Sequence, residues 1–174
     1  MFPDHRRTIV WRRPLSAFGT AYIMHLRANV KDLLDAMRDI PAGDFNTWKP
    51  AAAREGGQEM NTFAAIAIHV VSAGEFMTLH AVGNEPTDRN REAEFEATGD
   101  FAAIEARYVR WLDGVEALVS NLTDADLGRE PYEEKYTERS WKVAEVLLHA
   151  LDHTALHVGH VQVQRQLWQV ERGA

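Results

Sequence analysis

Apolar residues recur at helical spacing in four long stretches, separated by Gly, Pro and Asp-rich segments. The first runs from about Ser16 to Arg38, with Phe18, Tyr22, Leu26, Val30, Leu33, Leu34 and Met37 on one stripe. Pro41, Ala42 and Gly43 end it, and a loop through Trp48, Pro50, Gly56 and Gly57 follows. The second runs from Asn61, read as its N-cap, to His80, where Gly83, Asn84 and Pro86 stop it. The third starts at the N-cap Asp100 and carries Phe101, Ile104, Tyr108, Trp111, Leu112, Val115, Leu118, Val119 and Leu122. Gly114 costs this helix some stability without breaking it. The fourth begins near Ser140 and passes Trp168. Few stretches alternate with a period of two, and none is long. The pattern predicts an all-α fold, a four-helix bundle over residues 16–174, preceded by an arm over residues 1–15. The acidic connection from Glu85 to Thr98 is long enough for a crossover that lets the second and third helices run parallel, as well as for a hairpin.

Composition narrows the chemistry. A chain of 174 residues suits one domain with one sizeable core. There are no cysteines, so any metal must be held by His, Asp, Glu or water. The net charge of −7 argues against a nucleic-acid partner held through phosphates. No apolar run reaches the roughly 20 residues of a membrane span. The arm carries Arg6, Arg7, Arg12 and Arg13 but no apolar segment of a secretory signal, and reads as a flexible or dimer-packing tail. A cytoplasmic protein is expected.

Four histidines lie on one line of the last helix: His149, His153, His157 and His160. At about 100° per residue they share an arc of about 80°. Val146, Ala150, Leu156, Val161 and Trp168 flank that arc, which predicts that the line points inward. Buried imidazoles need partners, and a divalent metal satisfies several at once. Chance clustering along a solvated stripe is the bland alternative. One ion cannot use all four, because His149 and His160 are about 16 Å apart along the axis. Of the three neighbouring pairs, His153 and His157 are central and the first choice.

A third ligand is sought on another helix, and His69 is the best candidate, with Ala65, Ile66, Ala73 and Phe76 on its face. Alone, it would more simply be a hydrogen-bonded core residue. His80 reads as a mouth or surface residue, His25 as a boundary residue, and His5 lies in the arm. Three imidazoles leave a coordination position open, as catalytic sites do. His149 and His160 are then the catalytic candidates, each one turn from the central pair. No carboxylate clearly joins the cluster: Asp152 and Glu75 both point about 100° or more away. Asp152 either orients a ligand or faces solvent. Trp48, Tyr132 and Tyr136 are candidates for a rim over the site, or for local packing.

At these residues the chain resembles the DinB/YfiT-like family of metal-binding four-helix bundles. The resemblance rests on the mid-helix His in NTFAAIAIHVVSAGEFM, the polar turn LTDADL, and the last-helix segment LLHALDHTALHVGHVQVQRQL, close to the family ending H-x3-H-x-G-Q. A first helix ending in Pro, then a Trp-bearing loop, also fits, and the match spans about residues 16–170. It implies that His69, His153 and His157 are the metal ligands and that Gly159 is the small residue after the second helix-4 ligand. The Gln of the pattern is His160 here. The resemblance implies zinc or nickel, a homodimer, and a small-molecule substrate rather than a nucleic acid or a membrane. It also implies diverse chemistry: metal-dependent hydrolases, transferases using a low-molecular-weight thiol such as bacillithiol or mycothiol, and maleylpyruvate isomerases. The alternative expectation is a non-catalytic metal-binding or stress-response protein.

Overall fold

The computed structural model describes residues 15–51 and 60–173. The arginine-bearing arm, His5, Gly56 and Gly57 lie outside them. Helix α1 (Ala17–Asp35) starts where the Ser16 hydroxyl accepts a hydrogen bond from the Gly19 amide, 3.0 Å. Its buried stripe is Tyr22, Ile23, Leu26, Val30, Leu33 and Leu34. The short α2 (Ala42–Thr47) is tied to Gly99 by the Asn46 side chain, which donates to the Gly99 carbonyl and accepts from the Gly99 amide.

Helix α3 (Phe63–Glu75) is buried on nearly every side. Its N-cap is Thr62, whose hydroxyl accepts from the Ala65 amide; Asn61, the expected cap, instead offers its carbonyl to Gln164 Nε2 at 3.0 Å. The last turn, Phe76–His80, widens to a π-helix. With that turn included, the segment Phe63–His80 is long and apolar enough to cross a membrane, with mean hydropathy 1.3, yet 72% of it is buried inside the fold.

Short α4 (Arg91–Glu94) follows, then α5 (Phe101–Val119), capped by Asp100 as expected. The α3–α5 contact is close. A Cβ on Gly74 would stand 2.2 Å from the Trp111 ring, so only glycine fits there. The Trp111 indole N–H donates to Thr78 Oγ1, and Tyr108 donates to the Ala67 carbonyl. Ala67 and Thr78 thus meet Tyr108 and Trp111 in the same chain order, so α3 and α5 run parallel and the connection between them is a crossover.

The polar turn LTDADL becomes α6 (Asp124–Leu127), with a reciprocal cap between Thr123 and Asp126. Helix α7 (Glu134–Thr137) precedes α8 (Val143–Arg172). The start of α8 is Lys142, not Ser140; Ser140 sits at φ 57°, a left-handed conformation that ends α7 rather than opening α8.

The four longest helices share one core. Helix α1 packs on α5 and α8, and α3 packs on the same two. The chain of contacts Arg27–Glu116 and Arg38–Glu105 makes α1 and α5 antiparallel. His69 faces His153 while Asn61 meets Gln164, which makes α3 and α8 antiparallel.

Candidate metal centre

The site lies where α3 crosses α8. His69 comes from the middle of α3 and His153 and His157 from successive turns of α8. One ligand nitrogen from each lies within 4.8 Å of the other two. The ring centroids are 5.1 Å apart for His69 with either partner, and 4.6 Å apart for His153 with His157. The group contains no fourth side-chain ligand among the described residues.

Two residues that sequence reasoning missed hold His69. Glu94, on α4 in the acidic connection, is only 5% exposed, and its Oε2 lies 2.8 Å from His69 Nδ1. A carboxylate can only accept, so Nδ1 carries the proton and Nε2 turns its lone pair to the cluster. Arg89 in turn clamps Glu94 through two hydrogen bonds, 2.6 and 3.0 Å. The Phe95 ring stacks on the His69 imidazole at 5.2 Å. Nothing in the sequence separates Glu94 from Glu85, Asp88, Glu92 and Glu96 in the same stretch; only the fold of the crossover selects it. The Asn90 side chain, which accepts from the Ala93 amide, starts the turn that aims Glu94 inward.

The cluster fits a divalent cation. His69 Nε2 and His153 Nε2 stand 3.2 Å apart. Two nitrogens at about 2.0–2.1 Å from a tetrahedral zinc are separated by about 3.3 Å. The Nδ1 atoms of His153 and His157 are buried without a partner among the described residues. Burial, reinforced by the neighbouring imidazoles, lowers the His153 pKa to about 3 and the His157 pKa to about 4. Burial also lowers that of His69, against the opposing pull of Glu94. All three are therefore neutral near pH 7, the form in which imidazole ligates.

The α8 histidine line is not the centre of the buried face. Val146, Ala150, Thr154, Val161, Gln164 and Trp168 are buried, the histidines run along one edge of them, and Leu156, expected to point inward, is 58% exposed. The reason is that α8 is apolar on two faces: Val163, Leu167 and Val170 are also exposed. The edge position leaves the cluster open on two sides. A 370 Å³ cavity reaches His69 and His153, with His149 in its wall. A second, 490 Å³ and lined by Met60, Ile66 and Val163, reaches His157 and His160.

The remaining expectations divide. His149 packs edge-on against Trp141 at 5.1 Å, and burial lowers its pKa. His160 is exposed, its ring 5.2 Å from that of His157. His80 is a loop fastener, bonded to Glu133 and to the Glu85 carbonyl. His25 is exposed and is not in the three-histidine group. Asp152 is exposed and touches no ligand histidine, and Glu75 is paired with Arg107. Of the three rim candidates, Tyr136 lines the 370 Å³ cavity. Trp48 is buried against Phe63, and exposed Tyr132 lies under Arg129.

The fold and the site together define an all-α protein with a three-histidine cluster at the crossing of two core helices. The chain matches the profile of the DinB superfamily over residues 25–161 and belongs to that superfamily. No curated protein matches it.

Proposed function

We propose that the protein binds one divalent metal, zinc or nickel, on His69, His153 and His157, and uses it as a metal-dependent enzyme on a small molecule. The observation that carries the reading is a three-nitrogen set with no fourth side-chain ligand among the described residues, opening onto a cavity. Closed sites hold metals for structure, whereas an open position admits water or substrate. A non-catalytic binding protein has no need of that opening. Nitrogen ligands suit borderline metals rather than magnesium. When bound, such an ion polarises a substrate oxygen or lowers the pKa of a coordinated water or thiol. Hydrolysis and transfer from a low-molecular-weight thiol both follow from that chemistry.

The protein's own groups do the rest. Glu94 holds the proton on His69 Nδ1 and fixes the ring, and Arg89 clamps Glu94 in place. His149, neutral near pH 7, takes a proton from the nucleophile inside the 370 Å³ cavity. Tyr136 lines the cavity, held there by stacking on Trp141 at 5.5 Å. The test is native mass spectrometry with zinc and nickel, followed by thiol-transfer and ester-hydrolysis assays on the loaded protein. One ion per chain and a metal-dependent turnover are expected. Protein that refuses both metals overturns the site, and loaded protein inert in every assay favours the non-catalytic reading.

A further inference from the structure

Part of the wall of the 370 Å³ cavity, beside the histidines, is cationic. Arg89, Arg91, Lys135 and Arg139 line it, and no Asp or Glu among the described residues does, in a chain whose net charge is −7. Arg89 is neutralised by Glu94. The other three form no ion pair with a carboxylate among the described residues. Each lies instead over an aromatic ring: Arg91 over Phe95 at 5.1 Å, Lys135 over Phe76 at 4.1 Å, and Arg139 over Trp141 at 5.4 Å. Those rings hold the cations in place without neutralising them. The cations come from α4, α7 and the residues after α7, so only the tertiary fold gathers them. The Lys135 pKa is lowered, first by desolvation and further by Arg89, Arg139 and Arg91, against the opposing pull of Glu133. Like charges held this close repel one another, and a bound anion relieves them.

We propose that this wall is the subsite for the anionic group of the substrate or cosubstrate. The ligand is a small organic molecule with an oxyanion, carboxylate or tetrahedral, at one end and an oxygen or sulfur donor at the other. The oxyanion sits among Arg91, Lys135 and Arg139, and the donor atom reaches the cluster of His69, His153 and His157. The cavity volume suits a compact ligand. Guanidinium forks and an ammonium together match either oxyanion. The placement of the donor end rests on the metal reading above; the anionic subsite itself does not.

Calorimetric titration of zinc-loaded and metal-free protein tests it. The probes are 3-mercaptopropionate, its neutral analogue 3-mercaptopropanamide, and 2-mercaptoethanesulfonate as the tetrahedral anion. The acid should bind at least about tenfold more tightly than the amide, as expected for a charge-assisted contact, and lose that margin at high salt. Comparing the acid with the sulfonate separates the carboxylate from the tetrahedral preference. Arg91→Gln, Lys135→Gln and Arg139→Gln should each weaken the acid several-fold, leaving zinc uptake and amide binding unchanged. Equal binding of acid and amide, no binding of either, or full acid affinity in all three variants overturns the subsite. Protein that refuses zinc yet still prefers the acid removes the metal reading and keeps the subsite.

Discussion

His153 and His157 share one helix and one line with His149 and His160, yet the two pairs have different surroundings. The inner pair faces His69 across the α3–α8 crossing, with buried Nδ1 atoms that have no partner among the described residues and pKa values near 3 and 4. The outer pair looks into two different cavities: His149 leans on Trp141, and His160 is exposed beside His157. The difference teaches that a histidine's role here is set by what the facing helix supplies, not by its own helix. Helix α3 supplies one imidazole, already oriented by Glu94, at the level of the inner pair alone.

The largest effect should come from the inner set. His69→Ala, His153→Ala and His157→Ala should each abolish most of the zinc-dependent rise in melting temperature, with helical content by circular dichroism retained. Two remaining ligands are too few for a tight zinc site, and the apolar core carries the fold. A variant that keeps the parent's full shift would remove that residue from the ligand set.

Glu94→Gln ranks next. An amide can still accept from His69 Nδ1, but it has no charge and breaks the clamp to Arg89. Zinc affinity measured by competition with a chelator should fall by about 10–100-fold. An unchanged affinity would make Glu94 a structural partner of Arg89 only.

Acidity separates the inner pair in metal-free protein. Its folded pKa values lie below the ordinary 6.5, so between pH 6.5 and about 3 the unfolded chain binds protons that the folded chain does not. Stability should therefore fall as the pH drops through this window and level off below the folded values. Denaturant titrations of parent and the His153→Gln, His157→Gln double variant should show a shallower fall in the variant. Equal slopes would mean that other groups govern the acid limb.

The smallest effects belong to the outer pair. His149→Ala and His160→Gln should bind zinc within about twofold of the parent, since neither joins the ligand group. His149→Ala should lower turnover in any assay that detects one. Loss of zinc from either variant, with the fold intact, would dissolve the contrast between the two pairs.

Much of this was legible in the chain. The apolar stripes located the four long helices, Asp100 was a correct cap, and His69, His153 and His157 do converge. Helix boundaries at Asn61 and Ser140 missed by one or two residues, because the cap depends on which side chain reaches the free amides. The inward pointing of Leu156 failed because α8 has two apolar faces, and periodicity alone does not say which one the core takes.

The sequence by itself determined the all-α class and the alignment of imidazoles one turn apart, because both follow from the fixed pitch of a helix. It could not determine Glu94 and Arg89 behind His69, the π-helical turn at Phe76–His80, or the cations gathered from α4 and α7. Those depend on the path of the crossover and of the α5–α8 connection, where no period constrains the chain. Only packing against the finished core decides which of many similar charged residues is buried beside the site and which is left in water.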